Sequence, residues 1–527
     1  MVSIIKVLKS YEKKNISLKS FFITLSSVII VRFFLEKLLE PGHSFKVGND
    51  FYANFIDFSH IYISWLVIFF SFIIISIIVL KINIRKSIKY ILLVSPVILI
   101  VPLIDFFTID SMRKISYNFN IFQIKSFLLI LINPFKKINL VTPGVRVEIF
   151  IIVIFGFIVS YLIIKKNLIR SILFSITIYL NILFFGFLPV LYNIFGIDFF
   201  QVGENSITTY IFQQKFVYIY LYPLLIYIGM FILYLYFYNN KKYFKLFYES
   251  IFISRLSYYL FLLNFGILFS LYQTNQIHGI FNFFDISKII FANLSIIWLF
   301  IFAKIENDIN DQKIDKISNY NRVSLKGKFT KSFFVDYKNI SLFVSFLFGF
   351  CVNEIFIVFL FFIGSLSYLY SNPPFRLRKY YPLNNFILTL IGGATYLSGV
   401  SLIFDYYAFE KLYPKSIFWL ILLYFFILVN FKDFKDLKGD KKNNIQNLIQ
   451  LFNGNKILGH ILILFSSIVL FFIYKILKIH YYIYLTAGYL IIYNIYLCRI
   501  KNTKDISNIY FYILPYLIIS GLIWIFL

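Results

Sequence analysis

Two groups of three aspartates stand out in a chain that contains few charged residues. The first aspartate motif is Asp308, Asp311 and Asp315, and the second aspartate motif is Asp433, Asp436 and Asp440. On a helix, offsets of three and seven residues place side chains within about 60° of one another, so each motif forms one acidic face. Three neighbouring carboxylates repel one another unless a cation lies between them. Mg²⁺, which takes oxygen ligands and shares them with phosphate, is the cation that this pattern favours.

A solvated helix end with alternating charges is the alternative interpretation of either motif alone. Two observations argue against this alternative. The same spacing recurs about 125 residues later, and both motifs begin where a long apolar segment ends. We therefore predict that the two motifs form a pseudo-symmetric pair that faces a common cavity.

A basic segment lies between the two motifs. In residues 370–383, which read YSNPPFRLRKYYPL, tandem prolines end a helix and are followed by Arg376 and Arg378. Such cations commonly serve only as anchors at a membrane surface. Carboxylates, a divalent cation and guanidinium groups are together also what a diphosphate requires, because metal ions neutralise its oxygens and arginine supplies bidentate donors. Arg322 and Lys326, after the first motif, are candidates for the same role.

The composition indicates a polytopic membrane protein. Of the 527 residues, 60% are hydrophobic and 14% are charged, whereas soluble domains are about a quarter charged. The formal net charge is +27, and the basic residues fall in short loops between apolar segments, as cytoplasmic loops of membrane proteins require. This distribution accounts for the charge without a nucleic-acid partner. Cys351 and Cys498 have no metal-ligand spacing and are interpreted as packing residues.

Fifteen apolar segments are long enough to cross a bilayer, six in the first half and nine in the second. They fall near residues 20–37, 59–80, 90–108, 147–164, 171–195 and 217–238, and then near 255–273, 286–304, 338–352, 354–371, 383–403, 416–431, 457–477, 480–498 and 507–527. Lipid tolerates no unpaired backbone edge, so we predict an all-α fold. The proposed division is a multi-spanning domain of unknown role over 1–245 and a nine-helix domain over 246–527.

The distribution of basic loops also predicts an orientation. It is consistent along the whole chain only if residues 117–135 do not cross the bilayer, so this stretch is predicted to be interfacial or re-entrant. The same orientation places the two aspartate motifs and the basic segment on the cytoplasmic side. We expect an integral multi-pass protein of the cell membrane.

These motifs resemble those of the UbiA superfamily of intramembrane prenyltransferases. The run NDINDQKID is similar to the family's Asn-Asp-x-x-Asp-x-x-x-Asp signature, KDFKDLKGD looks like its second Asp-rich motif, and YSNPPFRLR resembles its Tyr-Ser-x-Pro-Pro-x-Arg-Leu-Lys segment. The resemblance covers about residues 250–527, and nine helices is the family's number. The chain departs from the family at Val323, where Pro is usual, at Arg378, where Lys is usual, and at Asn444, where Gly is common. Every carboxylate is present, so these departures bear on the subfamily.

The resemblance implies a Mg²⁺-dependent transfer of an isoprenyl group from an isoprenyl diphosphate to an acceptor, with release of pyrophosphate. It implies that the six aspartates of the two motifs bind the metal and take part in catalysis. The residues expected to bind the diphosphate are Asn307, Arg322, Lys326, Tyr370, Arg376, Arg378 and Lys432. For Tyr370 the alternative is an ordinary interfacial aromatic.

The acceptor stays open among glycerol-phosphate lipids, quinone precursors and chlorophyll-type molecules. The alternative function is a cation or lipid transporter that uses the carboxylate clusters. Against it, the acids lie at predicted helix ends, whereas transporter sites tend to lie near the middle of the membrane.

The first half of the chain resembles no family that its residues identify. Arg32 and Asp105 fall inside predicted spans, where ionisable groups are costly and are usually paired or functional. We predict that these two residues pair with each other for a structural reason. That this half presents or channels a lipid acceptor is a hypothesis supported only by the fusion of the two halves.

Overall fold

The computed structural model describes most of the chain outside some connecting segments. The described residues are 16–39, 51–108, 143–163, 167–194, 253–274, 283–312, 315–316, 331–403, 415–443, 445–479, 481–500 and 502–526, with isolated positions at 224 and 227–229. The predicted re-entrant stretch 117–135 and most of the predicted span 217–238 lie outside them.

The chain folds as two compact units, which are described separately. The first unit is Met1–Phe244 and the second unit is Lys245–Leu527. Each has its own set of buried apolar side chains.

The described part of the first unit consists of helices. They are α1 (Leu18–Leu39), α2 (Phe51–Leu80), α3 (Ile84–Val94), α4 (Ile100–Thr108), α5 (Pro143–Ile163) and α6 (Leu168–Ile194). A 3₁₀ segment, Ser95–Leu99, joins α3 to α4. It contains Pro96, which has no backbone N–H to donate and whose ring disfavours regular α-helical hydrogen bonding. The predicted span 90–108 is therefore a continuous apolar segment in which an α-helix changes to a 3₁₀ helix and back.

The second unit contains nine long helices among its described residues. They are α7 (Ile253–Gln273), α8 (Phe283–Asn310), α9 (Lys331–Phe350), α10 (Glu354–Ser371), α11 (Leu383–Val400), α12 (Lys415–Val429), α15 (Lys456–Ile476), α16 (Tyr482–Arg499) and α17 (Ile509–Phe526). Two short helices, α13 (Asp433–Lys442) and α14 (Leu448–Leu451), lie between α12 and α15. Each long helix coincides with one apolar segment predicted from the sequence.

The helices are of the length and composition that a bilayer requires. Nine helices among the described residues are long and apolar enough to cross a membrane, four in the first unit and five in the second. No strand occurs in the ranges that the structure describes. The predicted all-α, multi-spanning fold is therefore confirmed, and the chain is an integral membrane protein.

Two glycines allow helices α7 and α11 to pack closely against each other. A Cβ atom on Gly266 would overlap the carbonyl oxygen of Tyr396, and one on Gly399 would overlap that of Leu263. The two helix backbones can approach so closely only because neither position carries a side chain, which is a common arrangement between membrane helices. This contact fixes α7 beside α11, the helix that follows the basic segment.

Candidate functional site

The first aspartate motif begins in the last turn of α8 and continues beyond it. Helix α8 ends at Asn310, but the helical hydrogen-bond pattern persists, since the backbone N–H of Asp311 donates to Asn307 and that of Asp315 donates to Asp311, both at 2.9 Å. The three aspartates are buried, with Asp311 and Asp315 only 1% exposed. The carboxylate of Asp308 accepts a hydrogen bond from Lys304 at 2.7 Å.

Two arginines of the basic segment reach the first motif. Arg376 donates from Nη2 to Asp311 Oδ1 at 2.9 Å and to the carbonyl oxygen of Asn310 at 3.1 Å. Its backbone is left-handed, with φ 39°, a conformation that costs a non-glycine residue on the order of 1 kcal/mol. Two contacts are made in this conformation. Arg376 forms the ion pair with Asp311, and its backbone N–H donates to the carbonyl oxygen of Asn372 at 2.7 Å. The basic segment is therefore a positioned part of the site.

Arg378 connects the two aspartate motifs. Its guanidinium forms an ion pair with Asp311 and lies 3.7 Å from Asp440 Oδ1. It also donates to the side-chain oxygen of Asn307 at 3.4 Å. The structure thus brings together residues that are about 130 positions apart in the chain. This is the convergence that the repeated spacing predicts.

The second aspartate motif lies on α13, directly after a 3₁₀ turn that ends α12. Its three carboxylates are buried. Asp440 accepts a hydrogen bond from Asn447 at one oxygen, at 3.0 Å, whereas Asp440 Oδ1 and Asp433 Oδ2 are buried without a hydrogen-bond donor. Burial raises the pKa of the Asp440 carboxyl to about 7, although the nearby charge of Arg378 acts to lower it. The second motif therefore contains two buried carboxylate oxygens that accept no hydrogen bond.

Lys432 and Tyr370 lie beside the second motif. The ammonium group of Lys432 donates to the Tyr370 hydroxyl at 3.3 Å and lies 5.7 Å from the centre of its ring. It is also 3.8 Å from Asp433 Oδ1. Tyr370, from the last turn of α10, is thus held at the acidic centre.

Several residues near the site were not singled out from the sequence. Arg255, in the first turn of α7, is close enough to act electrostatically on Tyr370 and Asp433. Lys338 of α9 forms an ion pair with Glu306 at 2.7 Å. In the sequence such cations cannot be distinguished from the basic residues that flank any membrane helix. Lys304, which contacts Asp308, was also missed, although its spacing of four residues could have identified it.

Not every predicted residue has a described position. Arg322 and Lys326 lie outside the described residues, so their assignment stays a prediction. The other predicted diphosphate-binding residues, Asn307, Tyr370, Arg376, Arg378 and Lys432, all lie around the two motifs through the contacts given above.

The donor set fits a magnesium–diphosphate complex better than a protein-enclosed metal ion. Among the described residues, no three acidic, histidine or cysteine side chains converge closely enough to hold a metal. Mg²⁺ usually takes only one or two carboxylates and completes its coordination with water and substrate phosphate. Buried carboxylate oxygens without donors, at Asp433 and Asp440, are ligands of the required type. The residues therefore fit Mg²⁺ that arrives with a phosphate group.

An apolar cavity is lined in part by α12, the helix that precedes the second motif. It has a volume of about 60 Å³ and is lined by residues of α7, α12, α15 and α17, among them Tyr258, Phe265, Tyr424 and Leu428. Leu428 precedes Asp433 by five residues, which corresponds to about 7 Å along a helix. Apolar space thus begins about one and a half turns from Asp433.

Comparison with known proteins assigns the second unit to a class. Residues 277–515 match the UbiA prenyltransferase family. No curated protein matches the chain. The predicted resemblance is confirmed over this range, where the chain is similar to a family of prenyl-transferring enzymes.

Solved structures with a similar fold cover about half of this chain. One, from a study of digeranylgeranylglyceryl phosphate synthase, has 20% identity and a TM-score of 0.37 over 53% of this chain and 98% of its own. A UbiA homologue from Archaeoglobus fulgidus bound to GPP and Mg²⁺ has 17% identity and a TM-score of 0.40 over 52% of this chain and 96% of its own. The same homologue bound to DMAPP and Mg²⁺ gives 16% identity and a TM-score of 0.38, with coverages of 52% and 96%.

Proposed function

We propose that the second unit binds an isoprenyl diphosphate together with Mg²⁺ and transfers its isoprenyl group to a lipid-soluble acceptor. The observation that carries this proposal is the position of Arg378, which contacts Asp311 of the first motif and approaches Asp440 of the second. The site therefore contains a cation between two sets of buried carboxylates. A magnesium–diphosphate complex is complementary to it, because its metal ions can bind the carboxylates and its phosphate oxygens can bind the cation.

The six aspartates of the two motifs are the proposed metal ligands. When bound, Mg²⁺ would neutralise the charge that collects on the departing pyrophosphate. The carboxylates would hold the ion at the end of α8 and on α13. Since Asp440 and Asp433 each keep a buried oxygen free of hydrogen bonds, they can take a ligand without losing a hydrogen bond.

Arg376, Arg378 and Lys432 are the proposed donors to the diphosphate oxygens, with Asn307 as a neutral donor beside them. Without substrate, each cation is paired with or close to a carboxylate of the motifs. Binding of the diphosphate exchanges these contacts for phosphate contacts, and guanidinium groups suit such bidentate contacts. Arg322 and Lys326 are proposed for the same role.

The isoprenyl tail is proposed to extend from the acidic centre into apolar space such as the cavity beside Tyr258 and Tyr424. The bond between the allylic carbon and the diphosphate oxygen breaks, and its electron pair leaves with pyrophosphate. Tyr370, whose ring already faces the ammonium of Lys432, is placed to face the positive charge on the allylic carbon. A nucleophilic group of the acceptor then forms the new bond and loses its proton.

For the acceptor we propose a glycerol-phosphate lipid, a quinone precursor or a chlorophyll-type molecule. Such a molecule reaches the site from the bilayer, in which the second unit is embedded. The proposed orientation places the aspartate motifs on the cytoplasmic side of the cell membrane, where soluble diphosphates and Mg²⁺ are available.

The test is turnover by the purified full-length protein. It is incubated with Mg²⁺, isoprenyl diphosphates of different chain length and a lipid extract, and pyrophosphate release and prenylated products are measured, the latter by mass spectrometry. We expect turnover that requires Mg²⁺ and falls by about two orders of magnitude or more in Asp311→Asn, since a charge that stabilises the leaving group is lost.

Asp505→Asn is the matched control, because Asp505 is an exposed aspartate of the same unit. It should keep wild-type turnover. Turnover that is indifferent to Mg²⁺, or that Asp311→Asn leaves unchanged, would contradict the proposal, and ion flux into liposomes without a prenyl donor would favour a transporter.

A further inference from the structure

The first unit contains a buried group of charged side chains at one end of its helices. Arg32 and Glu36 lie in the last third of α1, Asp105 lies in the last turn of α4, and Glu148 lies in the second turn of α5. Arg32, Asp105 and Glu148 are at most 4% exposed. Charged groups are rare and costly inside a membrane-spanning unit, and they usually mark a functional site.

Two of these side chains have defined partners. Arg32 forms an ion pair with Glu36 and donates to the carbonyl oxygen of Ile98. Asp105 accepts a hydrogen bond from the backbone N–H of Gly144 at 2.7 Å. A Cβ on Gly144 would lie only 2.7 Å from the Asp105 carboxyl, so the contact between α4 and α5 depends on this glycine. The predicted pairing of Arg32 with Asp105 is wrong, because each residue is satisfied elsewhere.

Glu148 differs from its neighbours because its buried oxygen has no partner. Its side chain is 3% exposed, and Oε1 is buried without a hydrogen-bond donor. Arg32, Glu36 and Asp105 are all close enough to act on its charge. Three carboxyl groups therefore share a single arginine that is already paired with one of them.

The charged groups that act on Glu148 are Arg32, Glu36 and Asp105. Lys37 of α1 is also buried, and its ammonium lies 5.8 Å from the centre of the Phe33 ring. Arg146, on α5 itself, is only partly buried. On the helix formed by α3 and α4, Lys89 is the nearest basic residue to Asp105 in sequence, and 16 residues correspond to about 24 Å. Arg170 of α6 lies beyond the far end of α5, whose last residue is about 22 Å from Glu148.

We propose that Glu148 is the proton-binding carboxyl group of a site in the first unit, and that Arg32 pairs with Glu148 when the proton leaves. Burial strongly disfavours an ionised carboxylate without a partner, and a bound proton removes that penalty. Among the described residues no acidic cluster can enclose a metal ion, which favours a proton over a metal. On release, the O–H bond breaks, the electron pair stays on the oxygen, and the proton passes to water.

This site is independent of the prenyl-transfer site, because all of its residues belong to the first unit. Exchange of one proton changes the internal charge of that unit by one and moves Arg32 away from Glu36. A protonation step coupled to a side-chain movement is what proton-coupled membrane proteins use. The proposal therefore gives the first unit a proton-dependent function.

The test is infrared spectroscopy of the full-length protein labelled with ¹³C at its glutamate side chains. A protonated carboxyl group has a C=O stretching band that is separate from the carboxylate bands, and the label distinguishes glutamates from the aspartates of the second unit. We expect such a band near neutral pH, its loss at alkaline pH, and its absence in Glu148→Gln, which is isosteric with the protonated side chain.

Glu36→Gln provides a second variant that does not depend on changing Glu148. It removes the ionic partner of Arg32, so the band should be lost already near neutral pH as Arg32 pairs with Glu148. A difference spectrum between the wild-type protein and Glu148→Gln without a protonated carboxyl band would overturn the proposal. So would a band that sodium chloride abolishes at constant pH while choline chloride does not, because the ligand would then be a sodium ion.

Discussion

Arg378 is the residue on which the proposed site of the second unit depends. Its guanidinium contacts Asp311 and Asn307 and lies near Asp440, so a single side chain touches both aspartate motifs. The sequence indicated that the carboxylates and the basic segment belong together, because their types and spacing suit a diphosphate. It did not indicate which arginine would bridge the motifs, because that depends on how α8, α10 and α13 pack.

Arg378→Gln should weaken prenyl transfer by about tenfold or more. A neutral amide cannot replace the charged hydrogen bonds of the guanidinium group, and a lost charged hydrogen bond costs about 1.5–3 kcal/mol. The measurement is kcat/KM for the isoprenyl diphosphate. Arg499→Gln, at an exposed position at the end of α16, is the matched control and should behave as the wild type. Equal kinetics for both variants would show that Arg378 does not act on the diphosphate.

At the level of the helices, the sequence predicted the number of elements better than their ends. All nine apolar segments of the second half are helices, because runs of this length must satisfy their backbone within one element. Helix α8 extends to Asn310, six residues beyond the apolar run near 286–304, since it ends in the polar residues of the first motif. Hydrophobicity defines where a helix is in lipid, and hydrogen bonding defines where it ends.

The prediction that Arg32 pairs with Asp105 was wrong, because the partner of each residue depends on contacts that the apolar pattern does not specify. The true ionic partner of Arg32, Glu36, is four residues away on the same helix, a spacing that sequence alone can identify. The partner of Asp105 is a backbone N–H on another helix, and no sequence pattern specifies such a contact.

Gly399→Ala tests the contact between α7 and α11. The added methyl group would overlap the carbonyl oxygen of Leu263 and force the helices apart, at a cost of about 1–3 kcal/mol. Thermal unfolding in detergent should show a lower midpoint. At Gly364, where the nearest atom to a Cβ is Leu299 Cδ1 at 3.8 Å, the same change should be neutral or stabilising. An unchanged midpoint for Gly399→Ala would contradict the close approach.

At the scale of the whole molecule, the chain combines two compact units whose charged centres suit different chemistry. The second unit contains carboxylates and cations in a pattern that fits a diphosphate. The first unit contains a buried carboxyl group that fits a proton. Composition and apolar periodicity were sufficient to predict a membrane protein with two halves. They were insufficient to predict the group around Glu148, because a single acid in an apolar helix carries no family signature.

A fragment that contains residues 245–527 should keep Mg²⁺-dependent cleavage of the isoprenyl diphosphate. All the described residues proposed for this step belong to the second unit, which has its own apolar core. The measurement is pyrophosphate release by the fragment and by the full-length chain at equal concentration. If the fragment folds, as judged by circular dichroism, but releases no pyrophosphate, the first unit supplies part of the site. Full transfer to the acceptor by the fragment would rule out a role for the first unit in presenting it.

The two aspartate motifs are proposed to form one site for magnesium and diphosphate. The most direct measurement is calorimetric binding of pyrophosphate, with and without Mg²⁺, to the wild-type protein, Asp311→Asn, Asp440→Asn and the double variant. Residues that act in one site show coupled effects, whereas separate sites give additive ones. We predict that binding requires Mg²⁺, that each single change weakens it strongly, and that the double change weakens it by much less than the sum. Additive losses, or binding that does not require Mg²⁺, would contradict the account.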